Sequence, residues 1–366
     1  MSRKISVVDT TLRDAHQCLW ATRMTTAHML PVAEDMDRIG FRRIDIAGTI
    51  QFDVCVRFLK ENPWERIRQM RKRLVQTPMS SFTRSKSIMS FDFVPDDIVE
   101  LWVERLVANG VREIGTFDGL NDVDNMLVTI RAARRLGVRA IGAISYGLSP
   151  VHTDEVYVKT AADLVQRGQV DAIWIKDAGG LLTVDRIRTL VPALKKVIGK
   201  VPLELHSHCM TGVAPLVYLE GVQAGADCIH TSIGPLANGN AQPATQSMVK
   251  NLQALGFTLD IDEERVNRVS EHFRRVAEQE GKPVGTVQEY DVFHYEHQLP
   301  GGMLANFRVQ LAELGMLGAA LERTDVERGV LVGIGEAVES GSRSGICGRS
   351  VRLSGSRSAQ RWPTLR

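Results

Sequence analysis

The stretch DAIWIKDAGGLLTVDRIRTLVPALKKVIGKVPLELHSH, residues 171–208, decides the fold class. Two short apolar runs, DAIWIKD and PLELHSH, enclose a longer segment whose apolar residues recur at helical spacing. That segment starts at a threonine and ends at a glycine, which are typical helix boundaries. A strand, a helix and a second strand in this order predict one βα repeat of a parallel sheet.

The same alternation runs through most of the chain. The other candidate strands begin near residues 4, 42, 78, 111, 138 and 227, as KISVVDT, RRIDIAG, PMSSFTR, VREIGTF, VRAIGAIS and DCIHTSI. Eight strands at a spacing of roughly 25–38 residues predict a (β/α)8 TIM barrel, an α/β fold. An open doubly wound sheet is the competing fold, but no GxGxxG follows the first strand, which argues against dinucleotide binding.

The pattern divides the 366 residues into three parts. Residues 1–257 are expected to form the barrel, and residues 258–325 a helical appendage that contains DIDEERVNRVSEHFRRVAEQEG and LANFRVQLAELG. Residues 326–366 are rich in Ser, Gly and Arg and lack periodicity, so we expect a divergent or disordered tail there.

Composition narrows the class of protein. With 44% hydrophobic and 24% charged residues, the chain fits a soluble globular protein, and a net charge of +2 implies no nucleic acid or acidic membrane as a partner. No apolar run is long enough to span a bilayer, and the N-terminus lacks a signal-peptide core, which predicts a cytoplasmic location. Five cysteines without a CxxC pair predict reduced thiols.

Polar residues gather at the carboxyl ends of the predicted strands, where TIM barrels carry their chemistry. His206 and His208 lie two apart and share one side of a strand, Asp14 follows the first strand, and Lys176 ends the sixth. One carboxylate and two imidazoles suit zinc, or manganese or cobalt. A protonated lysine beside a cation would be repelled, so Lys176 must be neutral or modified, for example as a carbamate.

Simpler interpretations of these residues stay open at this point. The two histidines could be unrelated polar residues at a strand end, and Lys176 could form a surface ion pair with Asp177. The other strand ends carry further polar residues, namely Asp9, Arg13, Asp53, Arg84, Asp118, Ser145 and Thr231.

Several motifs in combination resemble a known family. These are DTTLRDAHQCLWATRM, FDVCVRFLKENPWERIRQMRK, IKDAGG, ELHSHCMTGVAP, AGADCIHTSIGPLANGNAQPAT and HQLPGGMLANFR. They resemble the carboxyltransferase component of biotin-dependent enzymes, such as the oxaloacetate decarboxylase alpha subunit, pyruvate carboxylase and the transcarboxylase catalytic subunit. The resemblance, over about residues 4–318, implies a TIM barrel with a C-terminal helical funnel. It also implies a divalent metal held by Asp14, His206, His208 and carbamylated Lys176.

The resemblance also implies roles for other residues. Arg13 and Gln17 match positions that hold the oxo-acid substrate, Arg84 matches an arginine that pairs with its carboxylate, and Asp53 matches an aspartate of the biotin pocket. The pocket itself departs from the family. Its tyrosine is Phe91, its proton-shuttling threonine is Asn240, and its WGGAT motif is AGTIQ at residues 47–51. Because neither Phe91 nor Asn240 replaces the lost hydroxyl chemistry, these two residues argue against ordinary transfer to and from biotin.

Three functions follow from these observations. The leading one is a metal-dependent carboxyltransferase or decarboxylase of a small 2-oxo acid such as oxaloacetate or pyruvate. The chain has no Met-Lys-Met signature, so carboxybiotin would sit on a partner carrier chain, alongside a biotin carboxylase subunit, and the resemblance predicts a homodimer. The alternatives are a biotin-independent lyase or aldolase, resembling hydroxymethylglutaryl-coenzyme A lyase, and a catalytically weak scaffold subunit.

Overall fold

The protein forms a closed parallel barrel of eight strands in sequential order, as seen in a computed structural model. The structure describes residues 3–89 and 92–303, together with residues 305 and 309. The strands are β1 Ser6–Asp9, β2 Arg43–Gly48, β3 Met79–Arg84, β4 Glu113–Phe117, β5 Arg139–Ser145, β6 Ala172–Asp177, β7 Leu203–Ser207 and β8 Cys228–Thr231. β1 pairs in parallel with both β2 and β8, which closes the barrel and confirms the TIM-barrel prediction over the open sheet.

Helices follow the strands around the outside of the barrel. They are α1 His16–Leu19, α2 Thr26–Met29, α3 Ala33–Asp37, α4 Thr49–Val54, α5 Pro63–Arg73, α6 Asp96–Ala108, α7 Val123–Arg135, α8 Asp154–Asp163, α9 Val184–Ile198, α10 Ala214–Gln223, α11 Thr245–Ala254, α12 Glu263–Glu280 and α13 His294–His297. Short 3₁₀ segments span Leu30–Val32 and Ser85–Ser87, and π-helical turns span Thr11–Ala15, Cys55–Leu59 and Leu164–Gly168. The segment of the opening quotation forms β6, α9 and β7, and Thr183 caps α9 by accepting a hydrogen bond from Arg186 N.

Apolar side chains form two separate clusters because successive strand residues point to opposite faces. The large cluster lies between the strands and the helices and includes Ile173, Ile175, Leu203 and Leu205. The small one fills the barrel interior and consists of Phe82, Ile141, Ala143, Ala172 and Trp174, with Phe117 packed against it. The interior is therefore a packed layer with polar side chains above and below it.

α12 lies against the start of the chain. Asp262 caps this helix through Arg265 N, Asp262 N donates to the carbonyl of Ile39, and Arg265 and Arg268 both pair with Asp35 on α3. The division at residue 257 stays a prediction. Most of the segment 304–325, and all of the tail 326–366 with Cys347, lie outside the described residues.

The predictions about membrane-spanning segments and cysteine thiols can be compared with the structure. The helices of the described part are too short or too polar to traverse a bilayer. The four cysteines that the structure describes, Cys18, Cys55, Cys209 and Cys228, are buried free thiols.

Candidate metal centre

Three donor atoms converge above the interior apolar layer. Asp14 Oδ2 lies 3.0 Å from His206 Nε2 and 3.2 Å from His208 Nε2, and the two imidazole nitrogens are 3.2 Å apart. All three side chains are buried. Donors bound to one cation at about 2.1 Å lie about 3.0 Å apart at right angles and about 3.4 Å apart at the tetrahedral angle. The observed separations fall within this range, so the three residues fit a single divalent cation.

Asp14 is held in place by the chain that follows β1. The π-helical turn Thr11–Ala15 carries it, and Arg13 Nη1 contacts its other oxygen, Oδ1, at 2.9 Å. Burial alone would raise the pKa of Asp14, but the Arg13 guanidinium and the two imidazoles hold it well below its usual range. The carboxylate is therefore anionic at neutral pH, as a cation ligand must be.

The two histidines are positioned by different means. β7 ends at Ser207, so His208 lies one residue beyond the strand rather than inside it, which corrects the predicted strand PLELHSH. His206 is the register partner of Lys176 on β6. His208 Nδ1 donates to the carbonyl of Asn240 at 2.6 Å, which turns its Nε2 toward Asp14. The two imidazoles meet although only one belongs to the regular strand.

Gln242 completes the surroundings of the three donors. Its Nε2 donates to Asp14 Oδ2 at 2.9 Å, and its Oε1 accepts hydrogen bonds from Thr10 Oγ1 at 2.8 Å and Ser232 Oγ at 3.1 Å. The sequence analysis missed this residue. A glutamine in a loop carries no periodicity or spacing signal, and only the closed barrel brings residues 10, 14 and 242 together.

Lys176 ends β6 at the same opening of the barrel. Its half-buried Nζ lies 4.6 Å from the centre of the Phe117 ring. Burial, opposed by the attraction of Asp14, lowers the pKa of Lys176 to about 8, and the charges of Arg13 and Arg84 add to the decrease. A much larger fraction of the amine is therefore neutral near pH 7 than for an ordinary lysine.

Asp177 has a structural task of its own. It is fully buried, and its carboxylate accepts hydrogen bonds from Leu181 N, Leu182 N and Ser207 Oγ at 2.8, 2.9 and 2.6 Å. A surface ion pair between Lys176 and Asp177 is therefore not what the structure contains. Asp177 instead ties the loop after β6 to the end of β7.

The predicted substrate residues lie around this opening. Arg84 ends β3 and is the register partner of Phe117, whose ring Lys176 contacts. Arg13 packs over the Phe82 ring at 5.5 Å and approaches Asp45 at 3.8 Å in addition to Asp14. Two carboxylates thus already surround its charge.

Gln17 and Gln51 form a pair beside Arg13. Gln51 Nε2 donates to Gln17 Oε1 at 3.2 Å and to the backbone carbonyl of Arg13 at 3.0 Å. Gln51 is part of the divergent AGTIQ segment, and the sequence analysis assigned it no role. The sequence did contain an indication of its importance, because Gln51 stands where the family motif has a threonine.

The contacts of the residues predicted for the biotin pocket are as follows. Asp53, on α4, forms an ion pair with Arg57 at 2.8 Å near the surface. Asn240 contacts His208 through its backbone carbonyl. Phe91 lies outside the described residues. Their assignment to a pocket stays a prediction.

A second set of metal-ligand types lies next to the first. Glu204, Cys228 and His230 are buried with their donor atoms within 4.8 Å of one another. Arg43 donates to both oxygens of Glu204, with Nη1 to Oε1 at 2.8 Å, and Glu113 lies 3.5 Å from the same guanidinium. We call these five residues the lower cluster, and Asp14, His206 and His208 the upper cluster. The sequence analysis missed the lower cluster, although Glu204 precedes His206 by two residues and so shares its face.

The barrel is similar to several known proteins. The family model HMGL-like matches residues 121–272. The chain is 42% identical over 316 residues to a pyruvate carboxylase subunit of Methanocaldococcus jannaschii, covering 86% of this chain and 55% of that protein. It is 33% identical to the methylmalonyl-CoA carboxyltransferase 5S subunit of Propionibacterium freudenreichii subsp. shermanii, covering 86% and 62%.

A solved structure shares the architecture. The carboxyl transferase domain of Rhizobium etli pyruvate carboxylase, solved with pyruvate and biocytin, superposes with a TM-score of 0.79 at 28% identity, covering 86% of this chain and 54% of that one. The chain thus contains an HMGL-like domain within a (β/α)8 barrel. These relatives are a pyruvate carboxylase subunit and a carboxyltransferase subunit, in agreement with the family resemblance of the sequence motifs. The chain spans only 55% and 62% of the length of these two curated relatives.

Proposed function

We propose that this chain is the metal-dependent carboxyltransferase or decarboxylase component of a biotin-dependent enzyme and acts on a small 2-oxo acid such as pyruvate or oxaloacetate. The observation that carries the proposal is the upper cluster, in which one carboxylate and two imidazole donors lie 3.0–3.2 Å apart at the open end of the barrel. The similarity to carboxyltransferases along 86% of the chain supports the same reaction class.

In this proposal Asp14, His206 and His208 hold a divalent cation, and zinc suits their donor set best, with manganese or cobalt as the harder alternatives. When bound, the cation supplies a Lewis acid that polarises the keto oxygen of the substrate. Arg13 keeps Asp14 ionised and oriented through the contact to Oδ1. Gln242 steadies the oxygen that faces the histidines.

The substrate carboxylate is assigned to Arg84. A guanidinium offers a planar pair of donors that matches a carboxylate, and Arg84 lies at the opening beside Phe117. Gln17, oriented by Gln51, would fix the other end of the substrate. Because Arg13 already contacts two carboxylates, we assign it to Asp14 rather than to the substrate.

Lys176 is proposed as the fourth ligand after reaction with carbon dioxide. Only a neutral amine attacks carbon dioxide, and a pKa of about 8 makes that form accessible near neutral pH. The addition would form a C–N bond and release one amine proton to solvent, and the resulting carbamate would present an anionic oxygen to the cation in place of a repelled ammonium group. Because Lys176 is the register partner of His206, this oxygen would lie near the cation that Asp14 and His206 are proposed to hold.

Carboxybiotin would arrive on a separate carrier chain or domain. Asp53, Phe91 and Asn240 are proposed to form its pocket, in a homodimeric, cytoplasmic enzyme that also works with a biotin carboxylase subunit. The Rhizobium etli domain was solved with biocytin as well as pyruvate, which favours biotin use over the lyase and scaffold alternatives.

The test is turnover of oxaloacetate by Zn²⁺-loaded full-length chain with and without added free biotin. Biotin-stimulated decarboxylation is expected, and Arg84→Lys should raise the KM for oxaloacetate because it loses the bidentate contact. Turnover independent of biotin would support the lyase instead. Zn²⁺ binding without turnover of any 2-oxo acid would support the scaffold. A folded chain that binds no divalent metal would refute all of the metal chemistry proposed here.

A further inference from the structure

The lower cluster lies directly behind one ligand of the upper cluster. His206 Nδ1 is 3.2 Å from His230 Nδ1, and His230 Nε2 is 2.9 Å from Glu204 Oε2. His206, His230, Glu204 and Arg43 are all at most 1% exposed. The four side chains form an uninterrupted line from the barrel opening into its base.

The lower cluster is not a second metal site. Both oxygens of Glu204 accept hydrogen bonds from the buried guanidinium of Arg43, which supplies the positive charge that a cation would otherwise provide. A metal bound to Glu204 would have to displace Arg43 and leave its charge unpaired in the core, at a large desolvation cost. The cluster therefore needs another explanation.

The donor and acceptor properties of the side chains determine the direction of each hydrogen bond along this line. A carboxylate only accepts hydrogen bonds, so His230 Nε2 must carry a proton toward Glu204. A lone pair there would face a carboxylate oxygen at 2.9 Å. Arg43 Nη2 lies 3.3 Å from the same nitrogen of His230, but it donates to Glu204 Oε2. The remaining nitrogen of His230, Nδ1, is then an acceptor and receives the proton of His206 Nδ1.

This arrangement selects one tautomer of His206. With its proton on Nδ1, the imidazole directs an Nε2 lone pair toward the position that a cation would occupy beside Asp14 and His208, which is the form that binds a cation. The Trp174 ring packs against both His206 and His230, at centroid distances of 4.9 and 4.4 Å, and so provides apolar surface beside the two imidazoles.

We propose that His230, anchored by Glu204 and Arg43, is a positioning residue that fixes the orientation and tautomer of His206 for cation binding. The inference rests on the proposed metal centre and adds a supporting chain that reaches the barrel base. Histidine ligands commonly donate their second nitrogen to a carboxylate, and here a second histidine is inserted between ligand and carboxylate.

The experiment compares Zn²⁺ affinity, measured by chelator competition, among full-length variants. His230→Phe keeps the ring but removes the acceptor, so its affinity should fall by about 10–100-fold. His230→Gln can accept from His206 and donate to Glu204, and should recover most of the loss. Glu113→Gln is the matched control, because it alters a carboxylate near Arg43 without touching His230. Circular dichroism checks the fold of each variant.

A second measurement does not depend on any substitution. In the Zn²⁺-loaded wild type, where a cation rather than a proton would face Asp14 at His206 Nε2, ¹⁵N NMR of the histidine side chains should show His206 protonated at Nδ1. Protonation at Nε2 would overturn the proposal, as would a well-folded His230→Phe that binds Zn²⁺ as tightly as wild type. If the wild type itself binds no Zn²⁺, the proposed function fails, whereas normal wild-type binding with no effect of His230→Phe refutes the positioning role alone.

Discussion

The upper and lower clusters contain similar residues and differ in what balances their charge. Each has a buried carboxylate beside imidazole nitrogen. In the lower cluster Arg43 occupies both oxygens of Glu204, so the charges are paired within the protein. In the upper cluster Arg13 takes only Oδ1 of Asp14 and leaves Oδ2 facing two histidines. Ligand-type residues in proximity therefore indicate a cation site only where the protein's own cations leave a carboxylate oxygen facing the other donors.

The largest expected effect comes from breaking the upper cluster. Asp14→Asn keeps the shape but removes the charge, so Zn²⁺ content should fall from about one per chain to near zero. Turnover of oxaloacetate should fall by about 10³-fold or more, equivalent to several kcal/mol of lost stabilisation. Metal analysis and a steady-state assay measure both.

The matching change in the lower cluster is Cys228→Ser. It removes a thiol that could bind zinc, yet Zn²⁺ content should remain that of the wild type. A loss of zinc in Cys228→Ser, with retention in Asp14→Asn, would show that the lower cluster, and not the upper cluster, binds zinc.

The lower cluster should instead dominate stability. Arg43→Met leaves the fully buried carboxylate of Glu204 without its cation, which we expect to lower the free energy of unfolding by about 3–5 kcal/mol. Urea denaturation of metal-free protein measures the change. Adding Glu204→Gln to Arg43→Met should restore part of the loss. If Arg43→Met were as stable as wild type, the charge-pairing account of the lower cluster would be wrong.

Asp9 is a third buried carboxyl group that can be compared with Asp14 and Glu204, and it accepts hydrogen bonds from Thr11. Burial is the main reason that its pKa rises from 3.8 to about 7. The folded state therefore favours the protonated form, so its contribution to stability is complete below about pH 4 and declines as the pH rises toward 7. Relative to Asp9→Asn, wild type should lose roughly 1.4 kcal/mol per pH unit over that window. Parallel denaturation series at several pH values test this, and equal slopes for the two proteins would contradict it.

The smallest effect is expected at Asn240. Its backbone carbonyl, not its side chain, holds His208, so Asn240→Ala should change Zn²⁺ affinity by about twofold or less. Chelator competition, run beside His230→Phe, measures the contrast between backbone and side-chain support. A tenfold loss in Asn240→Ala would show that the side chain also holds the ligand.

The sequence was sufficient for the barrel because its signal is periodic. β-Branched runs such as DAIWIKD and amphipathic segments such as the one that forms α9 recur eight times, and closure follows from their number. His206 and Asp14 were identified because their residue types stand out at strand ends. By contrast, Gln242 is an ordinary residue in sequence, and its importance arises only from neighbours that folding brings close.

Glu204 and His230 are intermediate, because their positions gave a signal in the sequence but their pairing did not. Both stand on predicted strands at positions that face the barrel interior, where an isolated charge is costly, and this was a usable signal. Their partner Arg43 lies 161 residues before Glu204, so the pairing itself depended on knowing that β2 and β7 line the same closed barrel.

X-ray absorption spectroscopy at the zinc edge on the Zn²⁺-loaded full-length chain tests the central claim most directly. Because the upper cluster contains only nitrogen and oxygen donors and the lower cluster contains Cys228, the first coordination shell distinguishes them. We predict two imidazoles and oxygen ligands at about 2.0–2.1 Å with no sulfur. A sulfur neighbour at about 2.3 Å, or a folded chain that retains no zinc, would contradict the assignment.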